Sequence, residues 1–329
     1  MTEAEMQERT VLAAIALANR APSVHNSQPW LWRIGERSLH LHGDMERWLP
    51  ATDPDARDLV ISCGAALHHV RIALSAAGVR TVAHRLPNRY ELMNLAAIEL
   101  HPDPEAKADR ALAAAIEHRR TDRRRYADSP LAPHHVPALA RRAAEHGVLL
   151  SEVTEPGERQ LLARAIVEAA NVQTDDLSYA WELAIWSGER TSSDGVPSAN
   201  LPRADTGTAA LPMRHWPHAE LPQPRSDSPD GATILILATS SDDRSSQLRA
   251  GEATGSVLLH ATTLGLATCA LSQPLEVPAA RRLVREQVLG GALYPQLLIR
   301  VGWPPSESVA IPVTRRRPVA DTLVERRPR

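Results

Sequence analysis

A chain of 329 residues with 43% apolar and 23% charged side chains has the material for a large packed core, which excludes a disordered or fibrous protein. A net charge of −2, from 37 basic and 39 acidic side chains, leaves no global basic field, so any anion site must be local. Two distant cysteines, Cys63 and Cys269, give no disulfide framework and no zinc spacing. The acidic start MTEAEMQERT lacks a signal-peptide flank, and apolar runs such as 11–18 are too short to span a bilayer, so the protein is expected to be cytoplasmic with no membrane partner.

Thr2 and Glu5 form a capping box ahead of a helix reaching about Asn19. Pro22 and Pro29 then break the chain, and alternating apolar residues over 31–42 predict two short strands around Gly35. Residues 56–78 read as a long buried helix ending near Gly78, followed by a strand in NLAAIELHPD and a helix over 105–118. A loop at 119–133, a helix over 136–146, a strand over 148–153 and one long helix over 157–187 come next. The stretch 191–230 carries seven prolines and cannot form a long regular element. A loop of that length reads as a lid, with Met213 or Trp216 over a ligand, or as a mobile surface segment. Beyond it lie a strand over 233–239, helices over 244–264 and 277–289, and a strand over 295–302.

One offset, the 187 residues from Asp55 to Asp242, aligns 55–81 with 242–268 without gaps. It matches Arg57 with Arg244, Gly64 with Gly251, Val70 with Val257, Gly78 with Gly265 and Thr81 with Thr268. Any two Ala/Leu-rich helices ending in glycine align loosely, but the shared Asp, Arg and glycines are not helix-propensity residues. The pattern points to a duplication, with two helices packed about a pseudo-two-fold axis.

Four segments carry polar chemistry. Arg20-Ala21-Pro22-Ser23-Val24-His25-Asn26-Ser27-Gln28-Pro29-Trp30 groups a hydroxyl, an imidazole and two amides, which suits a flat heterocycle and equally suits helix-end turn chemistry. The second, Arg119-Arg120-Thr121-Asp122-Arg123-Arg124-Arg125-Tyr126, places five arginines in seven residues. They repel unless neutralised, so they mark a phosphate site or a solvated arm. Ala270-Leu271-Ser272-Gln273-Pro274 forms the loop after the second repeat helix, and Arg315-Arg316-Arg317 follows the last strand.

Taken together, RAPSVHNSQPW resembles the flavin-ring loop of the nitroreductase family, and RRTDRRRY followed by Pro130 resembles its phosphate motif. The repeat helix and the strand ending in RVGWP resemble that family's dimer-interface helix and last strand. HNSQPW, the chain length and the fused halves are most similar to the Acg-type branch. The resemblance implies an α+β nitroreductase-type fold: a mixed, largely antiparallel sheet wrapped by helices, in two pseudo-symmetric halves. These would be residues 1–110 and 111–329, the boundary lying near 103–118 and the lid insertion at 191–230.

It further implies one FMN per chain, because the ring loop and the phosphate motif each occur once. Pro197-Ser198-Ala199-Asn200 could be a decayed second ring loop. Arg119, Arg120, Thr121 and Arg123 would hold the phosphate, with Arg315 or Arg316 closing over it. Pro22, Ser23, His25, Asn26 and Gln28 would edge the ring, and backbone N–H groups near Leu271 and Ser272 would reach its N5/O4 side. The implied activity is hydride transfer from NAD(P)H through flavin N5 to a small nitro- or quinone-like acceptor, with no protein acid or base required. A lid covering the flavin would instead make the protein an FMN store. A pseudo-dimer within one chain removes the family's reason to dimerise, so a monomer is expected.

Other readings rank lower. His40-Leu41-His42 lacks a third metal ligand, and the adjacent pairs His68-His69 and His134-His135 chelate poorly, so no metal is expected. Nucleic acid is not expected either, because only Tyr126 lies near the arginines to stack on a base.

Overall fold

The computed structural model describes residues 3–103, 110–188, 192–204, 211–224, 229–305 and 309–324. The expected capping box falls on Thr2, outside the described residues, as do 104–109 of the expected boundary. The fold is α+β and its main sheets are antiparallel. The sheet is divided in two, four strands each. Helix α1 (Glu3–Ala18) leads into β1 (Trp30–Ile34) and β2 (Ser38–Gly43), then α2 (Arg57–Ala76), β3 (Val79–Arg85) and β4 (Asn94–Pro102). These strands lie in the order β1-β2-β4-β3.

After α3 (Arg110–His118), the same progression recurs. It runs through α4 (His135–Ala144), β5 (Leu149–Glu152), β8 (Thr233–Thr239), α7 (Arg244–Thr263), β9 (Ala267–Leu271) and β10 (Tyr294–Gly302). The second sheet has the matching order β5-β8-β10-β9. Between β5 and β8 stand α5 (Pro156–Thr174), α6 (Leu177–Trp186) and the short parallel pair β6 (Ser187–Gly188) and β7 (Val196–Pro197). Between β9 and β10 stand α8 (Gln273–Glu276) and α9 (Pro278–Leu283).

The two repeat helices, α2 and α7, cross at their glycines. A Cβ on Gly64 would lie 2.2 Å from the Leu248 carbonyl oxygen, and one on Gly251 would lie 2.0 Å from that of Ile61. Leu248 stands to Ile61 as Gly251 stands to Gly64, so each contact is repeated by a pseudo-two-fold rotation between the glycines. Helix α2 has the length and mean hydropathy, 1.4, to cross a membrane, but 78% of that stretch is buried here, where it packs on α7 and the first sheet.

Three expectations are corrected. Residues 157–187 form two helices, because Asp176 accepts hydrogen bonds from the N–H groups of Ser178 and Tyr179 and starts α6 anew. Residues 270–274 are not simply a loop, since β9 runs to Leu271 and α8 begins at Gln273. The helix expected over 277–289 is α9, which continues into a π-helical turn over Val284–Val288.

The segment after β10 leaves its own half. The backbone N–H of Val324 donates to the Trp32 carbonyl at 2.8 Å, and Arg317 donates to Asp44 at 3.3 Å. The C-terminal arginine run is thereby laid along the ring loop.

Candidate functional site

The loop after α1 is held in a demanding conformation. His25, Asn26 and Gln28 all have positive φ, at 47°, 54° and 51°, a region that costs non-glycine residues energy and persists only where the surroundings enforce it. Ser23 Oγ accepts from the Gln28 N–H at 2.9 Å. Asn26 Nδ2 donates to the Gly195 carbonyl at 2.9 Å and to that of Arg315 at 3.4 Å. Gln28 Nε2 donates to the Ser193 carbonyl at 2.9 Å, while its Oε1 accepts from the Arg317 N–H at 2.8 Å. Residues 193–195 and 315–317 therefore clamp the loop from both sides.

Two adjoining cavities open beside it. The first, about 600 Å³, is lined by Arg20, Asn26, Arg119, Arg120, Asn200 and Arg316, among others. The second, about 850 Å³, is bounded by His25, Asp58, Ala65, Arg214, Trp216 and Leu271, among others. Pro22, Ser23, Thr121 and Arg123 line both, so the two form one continuous cleft.

The first cavity is lined by cations. No carboxylate among the described residues pairs with Arg119, Arg120 or Arg316. Arg119 is buried, and its Nε and Nη1 have no acceptor; Arg316 Nε has none either. Burial first, then repulsion from Arg120, Arg20 and Arg123, lowers Arg119 to about 10. Burial, then Arg119, Arg20 and Arg120, lowers Arg316 to about 9. Both stay cationic at neutral pH. Buried N–H groups without acceptors are rare and costly, and an oxyanion is the chemistry that would satisfy them. Arg124 is set apart from the cluster: it ion-pairs with Asp122 at 2.8 Å and donates to the Val309 carbonyl.

The second cavity is more apolar. Ile61, Ser62 and Ala65 of α2, Thr254 of α7, and Cys269 to Gln273 of β9 and α8 form its walls. Met213, Arg214 and Trp216 wall it from the proline-rich segment. Trp216 is held by Arg123 and Arg214, whose guanidinium carbons sit 5.3 and 5.5 Å from its ring, and by the edge of His25 at 5.5 Å. Arg214 is anchored in turn on Glu276 at 2.5 Å and on the Tyr179 hydroxyl. Burial, then Arg214 and Arg123, pushes His25 well below its usual value, so its imidazole is neutral.

Of the residues expected at the site, Pro22, Ser23, Thr121 and Arg123 line both cavities, Arg119, Arg120 and Arg316 line the first, and His25, Leu271 and Ser272 line the second. Asn26 faces the arginine cavity rather than the apolar one. Gln28 and Arg315 line neither: Gln28 is spent bracing the loop, and Arg315 lends its carbonyl to Asn26. Sequence reasoning missed Arg20, Asp58, Ser62, Ala65, Asn200, Arg214 and Thr254. Arg20 and Asn200 had a signal, one inside the ring-loop motif and the other in Pro197–Asn200. Asn200 is buried, donating to the Pro312 carbonyl at 2.8 Å.

Comparison with known proteins gives the family. The chain is 43% identical over 317 residues to "Putative NAD(P)H nitroreductase Rv3131" of Mycobacterium tuberculosis, covering 95% of this chain and 91% of that one. It is 36% identical over 315 residues to "Putative NAD(P)H nitroreductase acg" of the same organism, covering 95% of each. The chain belongs to this family, the Acg-type branch of the nitroreductase-like proteins. No family model matches it. Among solved structures, it is similar to the FMN-dependent nitroreductase NfnB from Mycobacterium smegmatis in complex with NADPH, at 15% identity over 66% of this chain and 99% of that one, with a TM-score of 0.40. It is also similar to an FMN-bound nitroreductase from Bacteroides fragilis, at 14% identity over 62% and 93%, with a TM-score of 0.40.

Proposed function

We propose that the protein binds one FMN in the continuous cleft, its phosphate among the guanidiniums and its ring in the apolar cavity, and acts as an NAD(P)H-dependent oxidoreductase. The observation that carries this reading is the set of buried N–H groups on Arg119 and Arg316 that have no acceptor, at a cavity that shares Pro22, Ser23, Thr121 and Arg123 with the apolar one. Arg20, Arg119, Arg120 and Arg316 grip the phosphate, Ser23 and Thr121 sit at the junction, and the walls from α2, α7 and β9 exclude water from the ring. Bound there, FMN supplies the hydride chemistry, from NAD(P)H to a nitro- or quinone-like acceptor.

One site per chain follows from how the halves differ. In this reading, residues 1–110 and 111–329 are the products of a duplication, and the molecule works as a monomer. By the repeat offset, Ala65 and Ser272 of the ring cavity correspond to Glu252 and Arg85. Those two side chains meet at 2.6 Å, with Arg71 joining at 3.2 Å, so the corresponding space is filled by an ion cluster.

A second reading has its own support. Trp216 is buried against the cavity and Arg214 is locked to Glu276, so 211–216 acts as a lid and the protein stores FMN rather than turning it over. Anaerobic mixing of the FMN-loaded protein with NADPH separates the two. The oxidoreductase reading expects the flavin band to bleach rapidly. Persistence of oxidised flavin that dithionite still bleaches would support storage instead.

A further inference from the structure

Among the described residues, five that line the ring cavity carry groups that titrate or hold fixed charge: His25, Asp58, Arg123, Arg214 and Cys269. Arg123 and Arg214 are permanent cations. His25 is held neutral by burial and the two guanidiniums, and burial pushes the Cys269 thiol up, so neither exchanges a proton near neutrality. Asp58 is the cavity's carboxyl group.

Asp58 lies in the first turn of α2 and is buried at 3% exposure, yet neither of its oxygens accepts a hydrogen bond. Arg57 Nη2 approaches Oδ1 to 2.6 Å without the alignment of a hydrogen bond, and Arg57 Nη1 is given to the Gln296 carbonyl. A buried carboxyl that accepts no aligned hydrogen bond is costly as a structural element and useful as a proton carrier. Burial foremost, with Asp53 before α2 and Glu276 of α8, raises it; Arg57 and Arg281 of α9 oppose, and Arg214 faces it from the segment over the cavity. The balance leaves it at about 7.

We propose that Asp58 is a catalytic acid, giving its proton to an oxygen of a quinone-type acceptor as that acceptor is reduced. This rests on the FMN reading above. Hydride, two electrons and one proton originating from NAD(P)H, adds to the acceptor. The Asp58 O–H bond breaks as an acceptor O–H bond forms, leaving the hydroquinone and a carboxylate that water reprotonates. The acid form is the working form, so the step is complete below the Asp58 pKa and fades above it.

The test uses the full chain loaded with FMN, reduced with NADPH and then mixed with a water-soluble benzoquinone across pH 5.5 to 8.5. Wild-type reoxidation is expected to be level below about pH 7 and to fall about tenfold per pH unit above it. Asp58→Asn should bleach with NADPH as wild type does but reoxidise about 100-fold more slowly at pH 6, with no break. Asp58→Glu should restore the break. In the FMN-free protein, an infrared carboxylic C=O band titrating near neutrality should be present in wild type and missing in Asp58→Asn. A flat wild-type profile, or an Asn variant with wild-type rate and pH dependence, overturns the proposal while leaving FMN binding intact. Wild-type protein that stays colourless with FMN overturns the FMN reading, and this inference with it.

Discussion

Replacing Arg119 with methionine is expected to weaken FMN binding by about 100-fold while making the FMN-free protein more stable. Two charge-assisted hydrogen bonds to a phosphate are worth on the order of 3 kcal/mol net, which sets the loss in affinity. The gain in stability comes from the same side chain. Arg119 is buried, lacks acceptors on Nε and Nη1, and is crowded by Arg20, Arg120 and Arg123. Its depression to about 10, well below the ordinary arginine range, corresponds to a cost on the order of 3 kcal/mol for holding the charge in the FMN-free fold. The sign follows from protonation. A cation whose folded value is depressed destabilises the fold at every pH below that value, and the cost is relieved as pH rises from about 10 towards the ordinary arginine range. At pH 7 it is fully present, and an oxyanion removes it. Methionine keeps the packing without the charge, so melting without FMN should rise by a few degrees. Fluorescence titration and thermal melting read the two effects separately. Unchanged affinity would remove Arg119 from the phosphate site.

Gly251→Val should destabilise the protein by more than about 4 kcal/mol and abolish FMN uptake. A Cβ at this position meets the Ile61 carbonyl oxygen at 2.0 Å and Gly64 Cα at 2.7 Å, so the obstacle is backbone on both sides and no rotamer relieves it. Separating α2 from α7 also moves Ile61, Ser62 and Ala65 away from Thr254, which together wall the ring cavity. Gly157→Ala is the matching control. Nothing lies within 4 Å of its added Cβ, and its position in the first turn of α5 tolerates alanine, so stability should stay within about 0.5 kcal/mol. Urea unfolding of both variants measures the contrast.

The sequence pattern located the repeat helices and strands such as β8 and β10 closely, because those elements are largely buried and end at glycines or polar turns. It missed β3 and β9, which hold matching places at the ends of their sheets after the repeat helices. VRTVAHR places charged side chains through an edge strand that is only partly buried, so its alternation does not read as a core face. The cationic end of the candidate site was legible because five arginines in seven residues repel one another unless something neutralises them. The ring end was less so. Ile61, Ser62 and Ala65 look like any other core positions of α2, and only the crossing with α7 turns them into a cavity wall. Asp58 was invisible for a different reason: an acid in the first turn of a helix ordinarily satisfies the helix dipole at the surface. Gln28 shows the converse, a polar residue in the right motif whose hydrogen bonds are already taken by Ser193 and Arg317.

The central claim is that an arginine-lined cavity and a ring-sized cavity form one flavin nucleotide site per chain. Parallel fluorescence titrations of the FMN-free protein with FMN and with riboflavin test it most directly. The account expects FMN to saturate at one equivalent per chain and riboflavin, which lacks the phosphate, to bind at least about 100-fold more weakly. Equal affinity for the two, two equivalents of FMN, or no uptake of either would contradict it.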